Sequence, residues 1–160
     1  MAKKDTKTNV MRILDKEKIE YTAHEYPHGN EAVDGLTVAT LLGEDPNCVF
    51  KTLVTQAKSG EHYVFMVPVA CELDLKKAAA AVDEKAVSMI KAKELLPLTG
   101  YVHGGCSPIG MKTSYRTCID ETAQLFDTIL FSGGRIGCQL EMAPDDLDKL
   151  VSLTFVDLTV

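Results

Sequence analysis

Near the start of the chain Val10, Met11, Ile13 and Leu14 recur at helical spacing among charged positions, with Ile19 just beyond. That stripe predicts a helix over 6–18. Residues 20–26 read as a short strand stopped by Pro27, which has no amide hydrogen to give. Residues 36–42 read as a short helix ended by Gly43, and Asp45-Pro46 as a second helix start, with Asp as cap and Pro in the first position. The pattern then turns strand-like. Cys48-Val-Phe-Lys-Thr-Leu-Val-Thr55 and His62-Tyr-Val-Phe-Met-Val-Pro-Val69 flank the turn Lys58-Ser-Gly-Glu61 and predict a hairpin. The second run is apolar on both faces, as a strand covered on both sides requires.

An alanine-rich helix follows over 73–82, capped by Asp74. A strand over 85–90 and a helical turn over 92–96, before Pro97, come next. Strands are predicted over 116–120, 128–131, 138–142 and 153–158, with a helical turn over 121–126. A helix over 144–150 carries acidic residues in its first turn, where the helix dipole favours them. This rhythm predicts a mixed or largely antiparallel sheet, closing toward a barrel, with helices packed outside. No repeat, linker or low-complexity stretch divides the chain, and 160 residues suit one domain over 1–160.

Composition is that of an ordinary globular protein, 46% hydrophobic and 25% charged. The apolar runs fall short of the ~20 residues a membrane span needs. The basic opening Met1–Lys7 is followed by no apolar stretch, so no signal peptide and a cytoplasmic location are expected. The net charge of −6 argues against gripping long duplexes by counterion release. It leaves room for a local basic pocket that meets a short nucleic-acid end. Five cysteines (Cys48, Cys71, Cys106, Cys118 and Cys138) are odd in number, widely spaced and without C-x-x-C. They are expected as free thiols in a reducing compartment. His24 and His28 lie four apart, but Pro27 falls between them and no third ligand is apparent, so no metal is expected.

Three features carry candidate chemistry. In Tyr101-Val-His-Gly-Gly-Cys-Ser-Pro-Ile-Gly110, three glycines and a proline fall between Gly104 and Gly110. Glycine permits positive φ and close approach, and successive N–H groups in such a turn form a concave anion site. A tight connection between two strands is the plainer reading. Within it Cys106, with His103 three residues away, is a candidate nucleophile if its setting is electropositive. Lys51 stands among Val49, Phe50, Leu53 and Val54. Such a lysine either reaches water along its stem or finds an anionic partner, and its ammonium suits phosphate or a developing negative charge. The turn Ser132-Gly-Gly-Arg-Ile-Gly137 joins two strands without a βαβ unit, so it is no dinucleotide site.

Taken together, Val49-Phe-Lys-Thr-Leu-Val54, Leu73-Asp-Leu-Lys-Lys77, Thr99-Gly-Tyr101, the Gly104–Gly110 loop, Phe131-Ser-Gly-Gly134 and Ala143-Pro-Asp-Asp-Leu147 span nearly the whole chain. In these segments the sequence resembles the YbaK/EbsC family of aminoacyl-tRNA deacylases, related to the editing domain inserted in bacterial prolyl-tRNA synthetases. The resemblance implies a mixed α/β domain, a partly open barrel surrounded by helices, with no cofactor. It also implies hydrolysis of mischarged tRNA, with the free-standing Cys-tRNA(Pro) deacylases as the nearest likeness. The family's essential lysine falls on Lys51, beside Phe50. Its G-x-x-x-P loop falls on Gly104, Gly105, Cys106, Ser107 and Pro108. Substrate contacts fall on Tyr26 and on Ser132, Gly133, Gly134 and Arg135. Many relatives carry a basic residue just before the last glycine of the second turn, where this chain has Ile136.

The implied reaction is attack on an ester carbonyl at the tRNA 3′ end. Loop N–H groups would stabilise the oxyanion, each typically worth ~3 kcal/mol, and Lys51 would hold the terminal phosphate or ribose. In the cysteine-specific members the substrate's own thiol attacks its ester and leaves as a thiolactone, so the protein supplies positioning. Prolyl-tRNA synthetase is the implied partner. Three alternatives stay open: another mischarged substrate such as Ala-tRNA(Pro), since one small group is worth only ~1–3 kcal/mol in an apolar pocket; a non-enzymatic module for tRNA ends or nucleotides; and a hydrolase dependent on Cys106.

Overall fold

The computed structural model describes residues 7–160. The basic opening up to residue 6, including the first residue of the predicted helix over 6–18, lies outside the described residues. That helix, α1, spans Asn9–Lys16, with the Thr8 hydroxyl accepting from the Met11 amide. It buries Val10, Met11 and Leu14, the stripe that its spacing predicted.

A three-stranded antiparallel sheet contains β1 (Thr22–Glu25), β7 (Cys138–Met142) and β6 (Ile129–Ser132), in that order. A five-stranded mixed sheet has the order β4 (Val87–Met89), β2 (Phe50–Ala57), β3 (His62–Pro68), β5 (Thr117–Asp120) and β8 (Leu153–Val156). Within it β2 pairs antiparallel with β3 and β4, while β3–β5 and β5–β8 are parallel. A parallel bridge between Val49 and Leu130 links the two sheets, and the Leu130 amide donates to the Cys48 carbonyl at 2.9 Å. The strands thus curve toward a barrel without closing one, the mixed, partly open architecture expected.

Helices α2 (Gly35–Leu42), α3 (Leu75–Ala81), α4 (Ala92–Thr99) and α5 (Pro144–Leu147) complete the fold with a 3-10 turn over Glu121–Leu125. Asp34 caps α2 and Asp74 caps α3, each accepting backbone N–H groups of the first turn. The main core joins α1 to both sheets through Leu14, Phe50, Met66, Ile119, Phe131 and Leu140. A second core packs α3 on Phe65, Val67 and Cys118 of the large sheet. The middle of β3 is covered on both faces, Val64 to Val67 all being buried.

Two expectations are corrected. Asp45-Pro46 does not start a helix: the Asp45 carboxylate takes the Asn47 amide at 2.9 Å, and the Cys48 amide closes on the Asp45 carbonyl. The local hydrogen bonds that favour an aspartate cap here close a single turn feeding β2. Nor does Pro97 stop α4, which runs on to Thr99. The Thr99 hydroxyl donates to the Leu95 carbonyl and the Gly100 amide to that of Leu96, so the turn closes around the proline. Other elements keep their type with shifted ends; α5 stops at Leu147 and β8 at Val156. Among the described residues no helix is long and apolar enough to cross a membrane.

Candidate active site

A cleft of about 560 Å³ opens where the two sheets meet. Its walls come from the start of α2, the first half of β2, the β4–α4 connection and the loop before Gly110. Ser132 at the end of β6 and Gln139 on β7 supply the small sheet's share. These two are cross-strand partners, so they share a face. An apolar cleft with a few convergent polar groups is the usual form of a small-ligand site.

Of the residues expected at the site, Lys51, Phe50, Gly104, Cys106 and Ser132 line the cleft. Gly105, Ser107 and Pro108 lie buried behind it. The Ser107 hydroxyl accepts from the Ile109 amide, and the Gly105 amide donates to the Val102 carbonyl. Those donors serve the loop itself, and Gly104 and Cys106 are its glycine-rich residues at the wall. Gly133, Gly134, Arg135 and Tyr26 stand outside the lining. Tyr26 is buried and its amide donates to the Gly137 carbonyl, so it braces the end of the second turn. Arg135 reaches Glu25 at 3.5 Å, and the Ser132 hydroxyl accepts from the Gly134 amide at 3.2 Å.

The two glycine-rich turns touch. Gly104 has φ +88°, and a Cβ there would meet Cβ of Ala32 at 2.6 Å. A Cβ on Gly105 would meet the Arg135 backbone at 3.0 Å. Ile136 packs on the Gly104 position.

The charged residues lining the cleft are Asp34, Lys51 and Lys91. The Lys51 ammonium is partly exposed and lies 3.8 Å from Glu72, whose side chain is 83% exposed. Such a pair contributes little, so among the described residues the ammonium has no strong partner, and Lys51 lines the cleft. Burial pushes the Cys106 thiol up to about 12, a nearby Thr99 only partly offsetting it. Burial likewise pushes Tyr101 up to about 12, with the Cys106 thiol adding a little, and its hydroxyl donates to the Ile109 carbonyl.

Two lining residues that the sequence reading passed over carry orphaned oxygens. Among the described residues, Thr52 Oγ1 and Gln139 Oε1 are buried without a hydrogen-bond partner. A buried polar atom left unpaired is costly, so both oxygens are available to a bound group. Gln139 was detectable: it is a polar residue between Cys138 and Leu140 in an apolar strand, the same signal as Lys51. His103, at the rim, is present as well, but the neutral Cys106 thiol gives it no thiolate to pair with. His24 and His28 turn apart: the His28 ring meets the Gly29 carbonyl and the His24 ring meets Glu141.

Residues 30–150 match the family described as "Aminoacyl-tRNA editing domain". Over 161 aligned residues, 99% of this chain and 98% of the relative, the sequence is 40% identical to the Enterococcus faecalis protein named "Putative Cys-tRNA(Pro)/Cys-tRNA(Cys) deacylase EbsC". Among solved structures, a "putative trans-editing enzyme for prolyl tRNA synthetase" superposes with TM-score 0.81 at 23% identity, covering 98% of this chain and 99% of that one. A hypothetical protein superposes with TM-score 0.84 at 20% identity, over 94% and 99%. The cleft with its lysine and glycine-rich loop therefore sits on the expected scaffold, and the chain belongs to the aminoacyl-tRNA editing domain family.

Proposed function

We propose that this protein removes cysteine from mischarged proline tRNA, with the substrate thiol cleaving its own ester. The observation that carries this reading is the state of Cys106. The one cysteine in the cleft wall is 8% exposed and its thiol is pushed up to about 12. It stays protonated at neutral pH and is a poor nucleophile. The substrate thiol takes that role. Its sulfur forms a bond to the ester carbonyl carbon, the bond from that carbon to the ribose oxygen breaks, and the thiol proton passes to the departing ribose oxygen. The products are a cyclic thiolactone and tRNA with a free 3′ end. Holding the chain in that geometry is where the protein acts.

The residue roles belong to the same proposal. Lys51 holds the terminal phosphate or ribose, and the backbone of Gly104 and Cys106 faces the oxyanion. Ser132 and Thr52 meet the donors of the aminoacyl group. Gly105, Ser107 and Pro108 shape the loop from behind, while Tyr26, Gly133, Gly134 and Arg135 fix the second turn against it. Full coverage of the E. faecalis relative supports a single catalytic domain. The net charge of −6 supports weak hold on the body of tRNA, so a synthetase, in the first instance prolyl-tRNA synthetase, presents the substrate in the cytoplasm.

The test is deacylation of Cys-, Ala-, Ser- and Pro-tRNA(Pro) by wild type and Lys51→Ala. Rapid loss of the Cys ester alone is expected, with Ser-tRNA far slower because its hydroxyl is the poorer nucleophile. Equal cleavage of Ser- and Cys-tRNA would sink the thiol mechanism. Preference for Ala-tRNA would move the specificity, and binding without cleavage would leave a tRNA-end module.

A further inference from the structure

Away from the cleft wall, three donors converge from segments far apart in sequence. His24 stands on β1, Glu141 on β7, and Glu44 just after α2. One ligand atom from each lies within 4.8 Å of the other two, all three side chains are partly buried, and none lines the cleft. We infer that His24, Glu44 and Glu141 form a site for a divalent transition-metal ion of the zinc class. This inference does not depend on the reading of the substrate.

One imidazole with two carboxylates is a borderline nitrogen and oxygen donor set, suited to such an ion. With bond lengths of about 2.0–2.2 Å, a tetrahedral ion holds its ligand atoms roughly 3.3 Å apart. The donors approach that spacing already. His24 Nε2 and Glu141 Oε1 are 2.8 Å apart, so a small opening of that pair admits the ion. Glu141 is oriented from its other side: the Thr128 hydroxyl donates to Oε2 and leaves Oε1 toward the histidine. Metal-binding carboxylates are commonly held by such outer contacts.

A separate observation on the same sheet face points to a missing ligand. Gln139 is the cross-strand partner of His24, is 7% exposed, and carries the amide oxygen without a hydrogen-bond partner. The ladder places Gln139 and Glu141 on one face of β7, with His24 opposite. That face therefore gathers an imidazole, a carboxylate and an amide oxygen lacking a donor. A cation-bound water would supply the donor that the Gln139 oxygen lacks. Bound there, the ion would tie the edge strand β1 and β7 to the link between α2 and β2, and that link leads into Lys51.

The experiment uses the full chain under reducing conditions in a Cys71→Ser background, which removes the one free cysteine that is not buried. Zn²⁺ is titrated calorimetrically, and Co²⁺ is added for its visible spectrum. One ion per chain is expected, with a Co²⁺ spectrum free of thiolate charge-transfer bands and a rise in Tm with Zn²⁺. Glu44→Gln should weaken binding at least tenfold while its own metal-free Tm stays near wild type. His24→Ala should do the same, and if it folds poorly Glu44→Gln alone decides. No binding, binding unchanged by Glu44→Gln, or a thiolate spectrum would overturn the site.

Discussion

Gly105 meets Arg135 backbone to backbone: a Cβ on Gly105 would lie 3.0 Å from the Arg135 Cα and 3.1 Å from its carbonyl carbon. The two glycine-rich turns, thirty positions apart, are thereby one packed unit behind the cleft. Since the obstruction is main chain, no side-chain rotation relieves it. Gly105→Ala is expected to push the turns apart and lower kcat/KM for the aminoacyl-tRNA by ten-fold or more. Steady-state deacylation alongside thermal melting checks this, because a proportionate loss of fold would show first in Tm.

Among the described residues Lys51 makes one ion pair, at 3.8 Å to the solvent-exposed Glu72. Lys51→Ala is expected to reduce kcat/KM by roughly 10² or more, the scale of losing one charge-stabilising donor. Glu72→Gln should leave activity within about two-fold, as an exposed pair is worth ~1 kcal/mol or less. A large loss in Glu72→Gln would mean that the pair, and not the free ammonium, matters.

Cys106→Ala is expected to retain most activity while costing about 1 kcal/mol of stability for the small void it leaves. In the native protein at pH 8, iodoacetamide should label Cys71 and spare Cys106, whose burial holds the thiol neutral. Peptide mass spectrometry reads both. Early labelling at Cys106 with loss of activity would restore a cysteine nucleophile.

Two tyrosines make the fold sensitive to alkali. Tyr63 is pushed up to about 12 by its hydrogen bond to Glu84, with burial adding to it, and Tyr101 to about 12 by burial. Each folded value lies above the ordinary one near 10, so the native state keeps protons that the unfolded chain releases. Their contribution is complete below pH 10 and is lost as pH rises from there through about 12. Tyr101→Phe should flatten the fall of Tm across that window. A wild-type Tm independent of pH there would contradict it.

Asp120 is 1% exposed and ties the end of β5 to the C-terminal segment. Its carboxylate accepts from the Thr122 hydroxyl and amide and from the Leu158 amide at 2.9 Å. Asp120→Ala leaves the buried Leu158 amide and the partly buried Thr122 donors unpaired, and a loss of roughly 2–3 kcal/mol is expected in urea unfolding.

Local periodicity carried most of the elements. Cys138–Met142 has the bounds its alternation predicted, and the alanine-rich helix starts from the Asp74 cap as read. Asp45-Pro46 misled because an aspartate cap and an aspartate turn present the same residues to the same amides. At the cleft, Lys51 and Gly104 were legible as residues out of place in their surroundings. Ser107 and Pro108 carried an equal motif signal, yet the loop folds them inward.

The sequence by itself determined the strands, the caps, the lysine in an apolar strand and the family likeness, because each depends on near neighbours or on an ordered set of short motifs. Tertiary structure alone decided that Gln139 would leave an oxygen orphaned in the cleft wall. It alone brought His24 to Glu141, 117 positions away, and set the Gly105 turn against Arg135. Such contacts depend on strand order and register between distant segments. Neither is written in any local pattern; both follow from how the two sheets bury their faces together.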